Sequence, residues 1–200
     1  MDGQTQTDER WRAMRRQRIL EAARMVFARA GFDAASMDDI AFEAGMGKPT
    51  LYRYYGGKEK LFDAVFIDAL DRLEEALDDA AAREPNGTER LRMMIAAIVP
   101  SFREHLASLR TLSGNAAGVE RGQRSIFRRR REGLETRLSN AIAYGIETRA
   151  FRAIDTRMTA KFVIGMAWSG SVAGRPDEDV STALCDLLFS GLSSPEGSRT

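Results

Sequence analysis

The chain has 200 residues, with 30 Lys and Arg, 29 Asp and Glu, and a net charge of +1. This length can bury one sizeable core or two modest ones, and the near-neutral charge excludes a general attraction to polyanions. One cysteine excludes an intrachain disulfide, and no apolar run is long enough for a membrane span or a signal peptide, so we expect a cytoplasmic protein.

Helical periodicity runs through nearly the whole chain and predicts an all-α protein. A first helix is expected from about Thr7 or Arg10 to Ala30, after a polar and mobile tail at 1–7. Its buried stripe is formed by apolar residues at helical spacing: Ile19, Ala23, Val26, Phe27 and Ala30.

A second helix begins after Ser36, whose hydroxyl can accept a hydrogen bond from an unpaired amide of the first turn. Asp38 and Asp39 complement the positive end of this helix, and Gly45 suits the left-handed residue that ends it. Because Pro49 is tolerated only in a first turn, a third helix must begin at about Gly47. We therefore expect two short helices joined by a tight turn.

Further helices are predicted along the rest of the chain. One break falls at 84–87, a new start at Thr88 is followed by a buried stretch in which Pro100 forces a kink or an early end, and Asp155 caps a later helix. The expected helical ranges are 58–83, 88–106, 109–117, 119–149, 155–170 and 177–192, followed by a mobile tail.

The paired short helices have the form of a helix-turn-helix, in which the start of the second helix meets base edges in the major groove. Lys48 and Thr50 can donate to bases, and Pro49 can touch a thymine methyl group. Tyr52, Tyr54 and Lys58 are suited to phosphates, while Leu51 and Tyr55 would face inward. Residues 10–60 also hold eleven Lys and Arg against six Asp and Glu, an excess that favours attraction to DNA.

These features together resemble the DNA-binding domain of the TetR family of transcriptional regulators. The resemblance covers about 15–66 and departs from the family pattern at Asp38, where some relatives carry a base-contacting Arg; this leaves the operator sequence open. The matching residues are Ala22, Phe27, Gly31, Phe32, Ser36, Ile40, Ala41, Ala44, Gly45, Pro49, Thr50, Leu51, Tyr52, Tyr54, Tyr55, Lys58 and Leu61.

The resemblance implies an N-terminal three-helix DNA-binding domain at 1–57, a helical effector-binding and dimerisation domain at 58–193, and a tail at 194–200. It also implies a repressor that binds a near-palindromic operator as a homodimer through the last two helices, at about 155–192. The residues then expected at DNA are Ser36, Lys48, Pro49, Thr50, Tyr52, Tyr54 and Lys58.

The family's effector pocket would be largely apolar and would bind a small molecule that releases the operator. Its candidate lining residues, each of which also reads as ordinary core, are Met94, Phe102, His105, Phe127, Tyr144 and Trp168.

No enzyme class fits the inventory, so we expect no catalytic residues, no metal and no cofactor. His105 has no histidine or cysteine partner, and neither a phosphate-binding glycine loop nor a nucleophile turn is present. The alternative is a helical small-molecule binding protein or enzyme that kept the fold without operator binding. Arg128 to Arg131 spread around one helix and predict a solvated, acid-paired surface, and Cys185 predicts a small core residue.

Overall fold

The structure is a computed structural model that describes residues 2–104 and 121–192, with side chains described over 6–104 and 128–191. Along these stretches the chain is all-α, as expected, and the short helix predicted at 109–117 lies outside them. The helices are α1 (Asp2–Ala34), α2 (Met37–Ala44), α3 (Lys48–Tyr55), α4 (Lys58–Arg83), α5 (Gly87–Glu104), α6 (Arg121–Glu147), α7 (Thr156–Val172) and α8 (Asp177–Leu192).

The chain divides into two compact units, residues 1–69 and 70–200, and the boundary lies inside α4. The sequence-based prediction places the domain boundary between residues 57 and 58, where α4 begins. In the first unit, α1, α2, α3 and the beginning of α4 share one apolar core, built from residues that include Ile19, Ala22, Ala23, Val26, Ile40, Ala44, Leu51, Leu61 and Val65.

In the second unit, α5 packs against α6, α7 and α8. The apolar face of α5 is fully or almost fully buried, which explains its central position. Its partners bury matching stripes, and the core includes Leu91, Met94, Ile95, Ile98, Val99, Phe102, Leu138, Ile142, Ala160, Val163, Ala167, Leu184 and Cys185.

The start of α1 differs from the prediction, because the helix begins at Asp2 instead of Thr7 or Arg10. The expectation of a polar tail at 1–7 was therefore wrong for residues 2–7. Polarity does not prevent helix formation, and between Asp2 and Arg10 the sequence has no proline. At its other end the helix carries non-helical backbone at Gly31, whose φ of 76° favours glycine.

Helix α5 corrects one further detail and excludes one of two predicted alternatives. Asn86, and not Thr88, caps its start, since the Asn86 side-chain oxygen accepts hydrogen bonds from the amides of Thr88 and Glu89, both at 3.0 Å. The helix also runs through Pro100, which excludes the early end that was one of the two predicted effects of this proline. Because Val99 and Phe102 on either side are buried, tertiary packing holds the helix together where one backbone hydrogen bond is missing.

Several local predictions are confirmed. Asp155 caps α7 by accepting a hydrogen bond from the Met158 amide at 2.9 Å. Cys185 is buried, and this burial raises the pKa of its thiol. In the arginine run, Arg130 pairs with Glu74 at 3.0 Å and with Asp71 at 2.5 Å, and Arg131 pairs with Glu135 at 3.2 Å, so the second half of the run is acid-paired as predicted.

Candidate functional site

The start of α2 is held by a reciprocal capping box between Ser36 and Asp39. The Ser36 hydroxyl accepts from the Asp39 amide at 3.1 Å, and the Asp39 carboxylate accepts from the Ser36 amide at 3.2 Å. The hydroxyl also donates to that carboxylate at 2.6 Å. The sequence predicts the cap, although it assigns Asp39 only to the helix dipole. The Ser36 hydroxyl is thus occupied in orienting α2.

The turn between α2 and α3 has the predicted geometry. Gly45 is left-handed, with φ 61° and ψ 38°, and its amide bonds back to carbonyls of α2. Met46 is half-buried against the core of the first unit. Gly47 precedes α3 and Pro49 lies in its first turn, as expected. This turn fixes where α3 starts and which residues its leading end presents.

Helix α3 separates into a buried and an exposed face. Leu51 is completely buried, whereas Lys48 and Pro49 are exposed and Thr50 is partly exposed. Tyr52 has 45% of its surface exposed. The leading end of α3 therefore offers an ammonium group, a proline ring, a hydroxyl and a phenol on one rigid scaffold.

Lys48 and Asp38 form an ion pair across the two short helices. The Lys48 ammonium donates to Asp38 Oδ2 at 2.7 Å, and this hydrogen bond raises the pKa of Lys48. Both side chains are substantially exposed. The pair holds Lys48 in one orientation and places a carboxylate on the surface that carries the candidate base-reading residues.

Lys58 has a different environment from the one predicted. Its ammonium donates to the carbonyls of Phe32, Asp33 and Ala35, at 2.8, 3.2 and 3.0 Å, and lies 4.5 Å from the centre of the Phe32 ring. All three N–H groups of the ammonium therefore bind backbone carbonyls of residues 32–35. Lys58 thereby ties the end of α1 to the start of α4 and has no donor left for a phosphate.

Tyr54 also lies apart from the exposed face. It is half-buried against the core of the first unit, with the Arg53 guanidinium 5.9 Å from its ring centre. The neighbouring Tyr55 is buried enough that desolvation raises the pKa of its phenol. Of the seven residues predicted at DNA, the structure groups four on one surface, namely Lys48, Pro49, Thr50 and Tyr52. Arg53, which sequence analysis did not select, is exposed on the same helix.

The second unit contains a cavity of about 210 Å³ among α4, α5, α6 and α7. Its lining is mainly apolar, with one carboxylate and two guanidinium groups. The lining residues are Leu70, Leu73, Glu74, Phe102, Arg130, Arg131, Leu134, Ile164, Gly165 and Trp168. Phe102 and Trp168, both predicted, meet edge to face with ring centres 6.3 Å apart.

The other predicted pocket residues are not brought to this cavity. Met94 is fully buried in the core. Tyr144 donates to the Pro85 carbonyl at 2.8 Å, and the Arg90 guanidinium lies 3.8 Å over its ring. His105 and the side chain of Phe127 lie outside the described residues. The lining from α4 was missed, although Leu70, Leu73 and Glu74 recur at helical spacing.

The part of the chain that the structure describes has neither a metal-ligand cluster nor a helix that could span a membrane. Within it, no cluster of three or more His, Cys, Asp or Glu side chains is arranged to hold a metal ion. None of its helices has an apolar stretch of the length that a membrane span requires.

Two family profiles match the chain in the order of its two units. The profile of the bacterial regulatory proteins of the tetR family matches residues 19–65, and that of the tetracyclin repressor-like C-terminal domain matches residues 84–171. The chain belongs to the TetR family of transcriptional regulators. The helix-turn-helix of α2 and α3 is accordingly its DNA-binding element.

Named relatives agree with this membership. The HTH-type transcriptional regulator YhgD of Bacillus subtilis is 27% identical over 185 residues, which cover 90% of this chain and 97% of YhgD. The HTH-type transcriptional repressor KstR2 of Mycobacterium tuberculosis is 26% identical over 156 residues, covering 77% and 78% of the two chains.

A solved TetR family structure extends the likeness to three dimensions. PfmR from Thermus thermophilus superimposes with a TM-score of 0.71 at 26% identity, and the match covers 88% of this chain and 99% of PfmR. These relatives are named as transcriptional regulators and not as enzymes.

Proposed function

We propose that this TetR family regulator is a repressor that binds a near-palindromic operator as a homodimer and leaves it when a small molecule occupies the second unit. The observation that carries the proposal is the exposed leading end of α3. Lys48, Pro49, Thr50 and Tyr52 lie together on a helix whose start is set by the Gly45 turn and whose opposite face is locked by Leu51.

Each exposed residue has a chemical role in this proposal. Thr50 reads one base pair through its hydroxyl and methyl group, and Tyr52 donates to a phosphate. Lys48 and Asp38 act together, because a lysine ammonium donates to guanine acceptors while a carboxylate accepts from the amino group of cytosine. Ser36 and Lys58, in contrast, orient the helices instead of contacting DNA.

Support for a homodimer comes from the exposed faces of the last two helices. On α7, exposed residues recur every three or four positions, and Phe162 is 60% and Met158 48% exposed. The same line contains Gly165, where an added Cβ would meet nothing within 4 Å. On α8, Leu187 is 65% exposed. Two copies of these faces, related by a twofold axis, would cover apolar surface that a monomer leaves in water.

The cavity suits a small, largely apolar effector. Its volume of about 210 Å³ is bounded by leucine, isoleucine and aromatic side chains, and its polar groups are Glu74, Arg131 and Arg130, the last of which pairs with Glu74. Leu70 and Leu73 line the cavity from α4, the helix whose first turn contains Lys58. An effector that displaces this wall would change the separation of the two reading helices.

Thermodynamic linkage makes the effect of the effector on operator binding equal to the effect of the operator on effector binding. An effector that prefers the conformer with poorly spaced reading helices weakens operator binding by the same factor by which operator weakens effector binding. Coupling of this kind is typically about 1–3 kcal/mol. In the repressor, this release restores transcription.

The decisive experiment is an unbiased selection from random double-stranded oligonucleotides at modest ionic strength. We expect enrichment of an inverted repeat whose half-site centres lie about 35 Å apart, one turn of DNA. Reporter assays with that repeat then show whether transcription rises when the protein is removed. Absence of any enriched duplex would contradict the proposal, and lower transcription on removal would make the protein an activator.

A further inference from the structure

The face of α1 that packs into the first unit changes character along its length. Ile19, Ala23 and Val26 are buried core residues on this face. Going toward the N-terminus, the same helical spacing leads to Arg15, then Arg12, then Asp8. Every residue from Gln6 to Arg18 is exposed. Residues 6–18 of α1 thus extend beyond the core of the first unit. On the face where residues 19–26 carry apolar side chains, this extension carries charged ones.

This extension forms one wall of an open groove of about 830 Å³ within the first unit. The other wall is the end of α3, the helix that presents the reading residues. The residues that line this groove, which we name the arginine groove, are Asp8, Trp11, Arg12, Arg15, Arg16, Arg53 and Tyr54.

The arginine groove is strongly basic. Four guanidinium groups line it against the single carboxylate of Asp8. Among the described side chains, those of residues 6–104 and 128–191, no ion pair holds Arg12, Arg15, Arg16 or Arg53, in contrast to Arg130, which carboxylates bind from two sides. Unpaired guanidinium groups in a concave surface attract anions with paired oxygen atoms.

We propose that the arginine groove binds the phosphodiester backbone of duplex DNA beside the major groove that α3 enters. Arg53 and Tyr54 belong to the last turn of α3, so a duplex in contact with the start of that helix runs its backbone past its end. Arg12 and Arg15 donate to phosphate oxygens, and Trp11, which is 57% exposed, packs against the sugars. This inference rests on the proposed operator binding and adds a contact that reads no sequence.

The test measures salt dependence with a fluorescently labelled random-sequence duplex, so no operator is needed. The slope of log K against log salt is negative, and it becomes shallower by about 0.9 for each phosphate contact that is lost. For Arg12→Ala with Arg15→Ala, we expect the slope to become shallower by about 2 and affinity to fall by the same factor on different sequences. Replacement of both residues by Lys keeps the charge and should restore most of the slope.

The matched control removes two positive charges elsewhere in the same unit. Arg10 lies on the opposite face of α1 and Arg29 is a largely exposed residue near Glu43, and neither lines the groove. Arg10→Ala with Arg29→Ala should leave the slope within about half a unit of the wild type. Circular dichroism of both variants checks that α1 remains helical.

Equal slopes for the two double variants would overturn the groove proposal. So would a larger loss of affinity for single-stranded DNA than for duplex of the same length when Arg12 and Arg15 are both replaced by Ala. Either result leaves the proposed function standing if a Thr50 variant still changes base preference. If the wild-type protein binds no duplex at all, the proposed function itself fails. The two failures are therefore distinguishable.

Discussion

In the first unit, the candidate base-reading residues come from one short stretch, α2 and α3, whereas the cavity of the second unit collects side chains from four helices between residues 70 and 168. The first surface depends on local rules: a capping box, a left-handed glycine and a proline in a first turn. The cavity depends on which side chains four packed helices leave uncovered. Sites of the first kind are readable from sequence, and sites of the second kind require the packing.

The largest expected effect tests whether the two regions are separable. Leu51 and Ile98 are both completely buried, one in each unit. Truncation of either to Ala should cost about 2–5 kcal/mol of unfolding free energy. For Leu51→Ala in the otherwise wild-type chain we expect loss of DNA binding. The near-ultraviolet circular dichroism of Trp168, measured separately in a Trp11→Phe background, should be retained.

Ile98→Ala provides the reverse case. It should alter the Trp168 signal while the first unit keeps its helical packing. If Leu51→Ala also erases the Trp168 signal, the two units unfold as one, and the contrast between a locally built and a packed site is not reflected in their stability.

The second prediction separates a positioning residue from a DNA contact. Lys58→Met removes three hydrogen bonds from a charged donor to the chain after Gly31. Loss of such bonds should cost about 1.5–3 kcal/mol in unfolding free energy, measured by urea denaturation. Its salt slope on random duplex should stay unchanged. Lys60→Met, at an exposed neighbour, is the control for charge.

A shallower salt slope for Lys58→Met with unchanged stability would return Lys58 to the phosphate-contacting set predicted from sequence.

Lys58 illustrates why that prediction and the structure differ. Its acceptors, Phe32, Asp33 and Ala35, lie between 23 and 26 residues earlier. No local spacing rule reports a contact that exists only after the end of α1 meets the start of α4.

The same reasoning applies to the cavity. Phe102 and Trp168 were predicted from residue type and do line it. Met94 has the same apolar character but is buried in the core, and Tyr144 is held at Pro85. Type and periodicity identify inward-facing residues, but they do not say which of them border empty space. The caps at Ser36 and Asp155 were predictable because donor and acceptor lie within one turn.

The third prediction tests the division of labour on α3. Thr50→Ala should change preference at a single base pair by about 1–3 kcal/mol, measured by binding to a panel of single-base operator variants. Tyr52→Phe should weaken binding by a similar factor on every sequence, because it removes one phosphate donor. Equal losses for Thr50→Ala on all sequences would show that Thr50 reads no base.

The smallest expected effect concerns an ion pair on the surface of the second unit, between α4 and α6. Arg137 donates to both carboxylate oxygens of Asp78, at 2.8 and 2.9 Å, and this holds the pKa of Asp78 below its usual value of 3.8. Asp78 is 60% exposed, so the pair should contribute less than about 1 kcal/mol.

The sign follows from proton linkage. A carboxyl group with a lower pKa in the folded state adds stability above its unfolded pKa, and this contribution disappears as the pH falls through the folded pKa. We therefore expect Asp78→Asn to lower unfolding free energy slightly at pH 7 and to match the wild type at pH values below both pKa values. Urea titrations at several pH values measure this, with Asp79→Asn on the same helix as the control. A deficit that persisted in acid would show that the Asp78 side chain stabilises α4 by packing and not by charge.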